Sequence, residues 1–264
     1  MMLKGYSLKR YRKYLLPFIA LLVVTEGASI VCHADFTSLW TGIVKGLEFI
    51  TFMFPPDWSA FPEMIQPAFQ SVLIAFLGSV FGTLLAIVFA VFASSNLVHP
   101  LIRNITRFLI GFERSLPEII QLLLLIAAFG LGQMAGIIAL ALGCVGMLGK
   151  LIADAIEELD PVMLESISSV GANKMQIIVF GVLPQIIPNL ISYALFRFEI
   201  NIRLSVILGA VGAGGIGYQL DYSFGMLQYH KAFTAMIVIM VMIFATEHLS
   251  QLLRNKIKME GALK

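Results

Sequence analysis

Six stretches of nearly unbroken apolar residues organise this chain, at 14–33, 69–94, 116–131, 134–155, 186–209 and 232–250. Each approaches the ~20 helical residues needed to cross a hydrocarbon layer of ~30 Å. The pattern therefore predicts an all-α, polytopic membrane protein with six transmembrane helices. The third stretch is short, and Gly130, Leu131, Gly132 and Gln133 join it to the fourth, so the two are expected to form a tight hairpin. The first stretch follows Lys9, Arg10, Arg12 and Lys13, which is also how a secretory signal begins. It is longer than a signal's apolar core, and no small-x-small pattern precedes a soluble domain, so it reads as a retained helix.

The polar connections give an orientation. If the N-terminus is cytoplasmic, that side collects Lys4, Lys9, Arg10, Arg12 and Lys13, then Arg103, Arg107 and Arg114, then Lys150 and Lys174, and finally Arg254, Lys256, Lys258 and Lys264. The opposite side holds Lys45 and Lys231, while Arg197 and Arg203 lie inside the fifth span. Because positive charge accumulates in cytoplasmic connections, both termini are expected in the cytoplasm. Residues 1–66 form a first region of basic terminus, first span and external segment; 34–66 carries Trp40, Trp58, Phe61, Pro55, Pro56 and Pro62, suited to an interfacial helix and turn. Residues 67–264 form the transmembrane domain, interrupted by a cytoplasmic loop at 156–184. In that loop Pro161 starts a short helix through Glu165 to Val170, Gly171 ends it, and a second helix is expected to stop near Pro184. On periodicity alone it reads as an amphipathic loop lying on the bilayer.

Composition agrees with this picture and removes several functions. Of 264 residues, 59% are hydrophobic and 13% charged, far from the soluble norm of roughly a quarter charged. A net charge of +2 gives no nucleic-acid footprint. Cys32 and Cys144 sit in separate apolar runs and read as packing residues, as do the thirteen methionines. His33, His99, His230 and His248 lack ligand spacing, so no metal site is expected, and no nucleophile with a base is apparent, so no catalytic residue is assigned.

The fifth span contains the costliest side chains: Arg197, Glu199, Asn201 and Arg203. A charge at mid-membrane costs at least ~2.5–3.5 kcal/mol, so such groups face protein, one another or water. Glu199 and Arg203 are four apart and are expected to pair on one helical face. Arg197 lies beneath Asn201 on a different face, with no acidic partner nearby in sequence, and is expected to face an anion in transit. Gly212, Gly214, Gly215 and Gly217 follow with Gly209, and two readings stand: a gate or re-entrant loop, or close helix packing. Glu26 in the first span pairs across helices or sits near an interface. The run GCVGMLGKL at Gly143 to Leu151 is not a nucleotide loop, because its glycine spacing is off by one and Leu151 stands where Ser or Thr is needed.

The cytoplasmic loop resembles that of the permease subunits of type I ABC importers, whose pattern is Glu-Ala-Ala, three residues, Gly, nine residues, Ile-x-Leu-Pro. Glu165, Gly171, Leu183 and Pro184 match; Ser166, Ile167 and Gly181 depart from it. The likeness sharpens towards permeases for phosphonates and reduced-phosphorus oxyanions through ERSLPEI at Glu113 to Ile119, GMLGKLIADAIEELDP at Gly146 to Pro161, LPQIIP at Leu183 to Pro188, and FRFEINIRLSVILGAVGAGGIG at Phe196 to Gly217. These matches span roughly residues 65–250. The resemblance implies the type I importer permease fold and a loop that docks as a coupling helix in a separate ABC ATPase subunit. ATP and Mg then bind to that partner, and this chain carries no cofactor. It further implies an external substrate-binding protein, a second permease copy forming a homodimer, and a place in the cytoplasmic membrane of a bacterium. The alternative is a stand-alone secondary transporter of a small anion, but no internal repeat or pair of broken helices supports it.

Overall fold

The computed structural model describes residues 8–32 and 37–262, which are built of helices and turns; Lys4, His33 and Lys264, used above for topology and metal spacing, fall outside them. Residues up to Phe54 make a first compact unit containing α1 (Leu8–Val31) and α2 (Thr37–Met53). The large apolar side chains of α1 from Tyr14 to Val31 are exposed, as a lipid-facing span requires. A helix at α2 occupies the segment expected to be interfacial.

The second compact unit, Pro55–Lys264, holds the remaining helices: α3 (Phe61–Ala93), α4 (Pro100–Ser115), α5 (Glu118–Phe129), α6 (Gln133–Glu157), α7 (Pro161–Ser169), α8 (Lys174–Gln176), α9 (Leu183–Leu208), α10 (Gly215–Gly225) and α11 (Tyr229–Ala262). Among the described residues, five helical runs are long and apolar enough to span: Lys13–Val31, Trp58–Ala93, Gln133–Glu157, Lys174–Ala213 and Tyr229–Lys256. The third of the six expected stretches differs. There α5 has 12 residues, about 18 Å of helix, too short to cross alone. Pro117 is the cause: it holds Leu116 extended and separates α5 from α4.

Pro184 does not stop a helix. Ahead of it lies a wide, π-helical turn at Ile177–Val182, and the chain continues from Lys174 to Leu208 as one rod. The wider turn frees the backbone positions that a proline disrupts.

Small residues set the closest helix approach. Gly78, Gly82, Ala86 and Ala90 recur every fourth residue on α3 and are all buried; a Cβ on Gly78 would lie 2.7 Å from that of Leu140 on α6. Without water to drive apolar association inside a membrane, such close backbone contact is what holds two helices together. Three apolar clusters then fill the bundle, centred on Leu148 and Ile152, on Ile74 and Leu140, and on Met64 and Ile216. At one end Arg107 donates to the Ala93 carbonyl at 2.8 Å and pairs with Glu157, while Asn96 donates to the Ile156 carbonyl at 2.9 Å. These bonds tie the ends of α3 and α6 together. Near the start of α11, the turn at Trp58–Ala60 is capped by Asp57, whose carboxyl is held below its ordinary pKa by the hydrogen bonds from Ser59, its hydroxyl first.

Candidate functional site

The corner between α4 and α5 is built by the sequence Glu113-Arg114-Ser115-Leu116-Pro117-Glu118. Proline at 117 has no N–H and forces the preceding residue out of the helix, so α4 ends and α5 restarts at once. Gln121 steadies the corner: its amide donates to the Glu113 carboxylate at 2.9 Å and to the Leu116 carbonyl at 3.1 Å. Opposite stands α6, which presents Gly143 and Gly146. A Cβ at 143 would sit 2.5 Å from the Arg197 guanidinium, and one at 146 would collide with the Glu113 carboxylate. The absent side chains are therefore the space in which these charges lie.

The result is a cavity of about 320 Å³ bounded by the corner from Glu113 to Glu118, by Gly143 and Met147 of α6 and by Arg197 of α9. Arg197 has a side chain only 5% exposed. One of its terminal nitrogens is 3.5 Å from Glu118 Oε1, the other 3.7 Å from Met147 Sδ, and its Nε has no partner. A buried guanidinium with one long ion pair and a free donor is under-satisfied, which is costly unless something else completes it.

The expected pairings in the fifth span need correction. Arg197 does have an acidic neighbour, Glu118, brought from 79 positions away. Glu199 and Arg203 do not pair with each other: Glu199 meets Arg254 at 2.6 Å and Arg203 meets Glu247 at 3.0 Å. Four-residue spacing allowed an intrahelical pair, but α11 runs beside α9 and offers Glu247 and Arg254, seven apart on one face, as partners across the helix pair. Asn201 is separate again. Fully buried, it donates to Ser79 Oγ at 2.9 Å and to Cys144 Sγ at 3.3 Å, which pins α9 to α3 and α6.

The loop forms as expected in its first half. Asp160 caps α7 by accepting from the Val162 N–H at 2.9 Å, Glu165 is exposed on that helix, and Gly171 takes a φ of +88° that suits glycine. Asn173 and Gln176 then form a reciprocal capping box. Leu183 and Pro184 open α9. Two of the three departures from the family pattern face each other: a Cβ at Gly181 would lie 2.8 Å from Ile167 Cδ1, so bulk placed at 167 is matched by its absence at 181.

In the glycine run, a wide turn at Gly209–Ala213 separates α9 from α10. Gly212 has φ +118°, and its carbonyl accepts from the Gly132 N–H at 3.0 Å. Gly215 lies against Ser71, whose hydroxyl accepts from the Ile216 N–H at 3.0 Å, while a side chain at Gly217 would strike the Val206 carbonyl. Gly214 joins them with φ +84°. Close packing is thus present at Gly212, Gly215 and Gly217.

Sequence reasoning missed Glu118, Glu247 and the part played by Gly143 and Gly146. A signal existed for the acids, since each is a carboxylate set in an otherwise apolar helical stretch, which demands a partner. For the glycines, nothing local distinguishes one that receives a helix from one that receives an arginine.

Residues 82–259 match the family described as the binding-protein-dependent transport system inner membrane component. The chain is 34% identical to the phosphite transport system permease protein PtxC of Stutzerimonas stutzeri, over 97% of this chain and 94% of that one. It is 38% identical to the phosphate-import permease protein PhnE of Mycolicibacterium smegmatis, over 83% of this chain and 42% of that longer protein. Among solved structures, the MetNI methionine ABC transporter in an inward-facing conformation has the same fold, with a TM-score of 0.65 at 20% identity, over 76% of this chain and 99% of that one. With the matched region covering most of the spanning bundle and the 156–184 loop, the chain belongs to the family of inner membrane components of binding-protein-dependent ABC transport systems.

Proposed function

We propose that this subunit forms the path for a phosphorus oxyanion, such as phosphite or a phosphonate, in an ATP-driven importer. The observation that carries the reading is Arg197: a buried cation on a cavity wall, short of partners, within a helix that spans the membrane. The names of the relatives agree with an anionic phosphorus substrate. Residues 1–66 supply the basic cytoplasmic terminus, the first span and an external interfacial segment, and residues 67–264 form the path. The loop at 156–184 carries α7 to an ABC ATPase subunit, which binds ATP and Mg, with Glu165, Gly171, Leu183 and Pro184 shaping the contact. A binding protein delivers the oxyanion from outside, two copies of the chain enclose the path, and both termini lie in the cytoplasm of a bacterium. Gly212, Gly214, Gly215 and Gly217 close the outer end of α9 by packing.

Uptake of labelled phosphite by proteoliposomes holding the complete transporter tests this. Arg197→Ala is expected to lower uptake at least about tenfold, the equivalent of ~1.4 kcal/mol in the barrier. Uptake equal to wild type at matched protein would remove Arg197 from the path.

A further inference from the structure

We infer that the Arg197 cavity selects a singly protonated oxyanion, one that carries an O–H as well as ionised oxygens; this rests on the reading of Arg197 as a substrate contact. Arginine alone does not distinguish among small tetrahedral anions, since its N–H fork accepts any pair of ionised oxygens. What sets this cavity apart is the company Arg197 keeps. Glu118 and Glu113 stand on the same wall, from α5 and α4, together with Arg114 of α4. No charged side chain of α6 lines it, and two glutamates against two arginines leave the wall formally neutral.

A carboxylate can only accept a hydrogen bond. Placed beside an anion with no proton, it has nothing to accept and adds repulsion. Placed beside an anion with an O–H, it takes that hydrogen while the ionised oxygens face the guanidinium. The geometry leaves both functions open: Arg197 Nε is unpartnered, the Glu118 contact is long at 3.5 Å, and Gln121 holds Glu113 through one oxygen, Oε1. Hydrogen phosphate, and the singly protonated forms of phosphite and of phosphonates, meet this requirement. Sulfate, which carries no proton at neutral pH, does not. Sites built to bind a substrate O–H reject analogues that lack it, because their buried polar groups are left unpaired.

The test uses the full chain, copurified with its ATPase partner into nanodiscs and freed of external binding protein. Binding of labelled inorganic phosphate is measured with phosphite and sulfate as competitors. In wild type, sulfate is expected to compete at least about tenfold more weakly than phosphite below phosphite's second ionisation, and competition by phosphite is expected to weaken as pH rises through that ionisation, which removes its O–H, whereas hydrogen phosphate keeps one. Glu118→Gln supplies an amide donor in place of an acceptor and should bring sulfate close to phosphite. Glu113→Gln, which leaves the Glu118–Arg197 pair intact, should do the same if the first variant assembles poorly. Equal competition by sulfate in wild type, or undiminished rejection of sulfate in both variants, overturns the inference while leaving Arg197 as an anion contact. Arg197→Gln is expected to abolish binding of all three anions; full phosphate binding there, or none in wild type at millimolar concentration, overturns the underlying reading as well.

Discussion

Glu199 of α9 and Arg254 of α11 meet at 2.6 Å across a chain separation of 55 residues. The carboxylate is almost wholly buried, whereas the guanidinium retains about a fifth of its exposure. Together with Arg203 and Glu247 they form two rungs between adjacent helices. Removing Arg254 strands a buried negative charge, so Arg254→Ala is expected to cost ~3–5 kcal/mol and to reduce yield and thermal stability of the assembled complex. Arg203→Ala should cost less, its side chain being half exposed. Exchanging the first rung as Glu199→Arg with Arg254→Glu should recover part of the loss, and an exchanged pair no better than the single variants would show that this contact does not hold the helices.

The match between Ile167 and Gly181 sets up a volume swap. Gly181→Ile alone should overpack the loop by ~1–3 kcal/mol and lower coupling of ATP hydrolysis to transport. Adding Ile167→Ala should restore it, because the double variant moves the same bulk across one contact. A double variant as poor as Gly181→Ile by itself would mean that the two positions do not share a volume.

Gly171 tests the loop as the ATPase contact. Its φ of +88° lies opposite to the value near −65° that proline imposes. Gly171→Pro should insert in the membrane normally yet lose transport and substrate-stimulated ATP hydrolysis. Full retention of both would remove the loop from that role.

Gly146→Ala is the smallest change that reaches the cavity, since the new methyl occupies the position of the Glu113 carboxylate. We expect normal insertion with uptake reduced several-fold, and a comparable substitution at Gly111, which has open space around its Cα, to be silent. Equal uptake by the two variants would show that Glu113 has room to move without consequence.

The spanning helices were legible because a row of ~20 apolar residues matches the thickness of the hydrocarbon layer and is too costly to leave in water. Their interruptions were less so: Pro117 and Pro184 look alike in sequence, but Pro117 opens a corner while Pro184 is absorbed by the wide turn before it. Arg197, Glu199, Asn201 and Arg203 were identifiable as costly residues, yet the three charged ones find partners 44 or more positions away. Local spacing cannot reveal those partners, because a membrane helix chooses between an intrahelical and an interhelical ion pair only once its neighbours are packed.

The wide turn at Ile177–Val182 also fixes an azimuth. From Lys174 to Leu208 the chain winds without a break, so the compass direction of each side chain on α9 depends on how many residues that turn contains. One residue is worth about 100° of winding. Deleting one there would preserve the rod but swing Arg197, about four turns onward, more than a quarter circle away from Gly143. The direction of the cavity's cation is thus set close to the loop, where the rod begins.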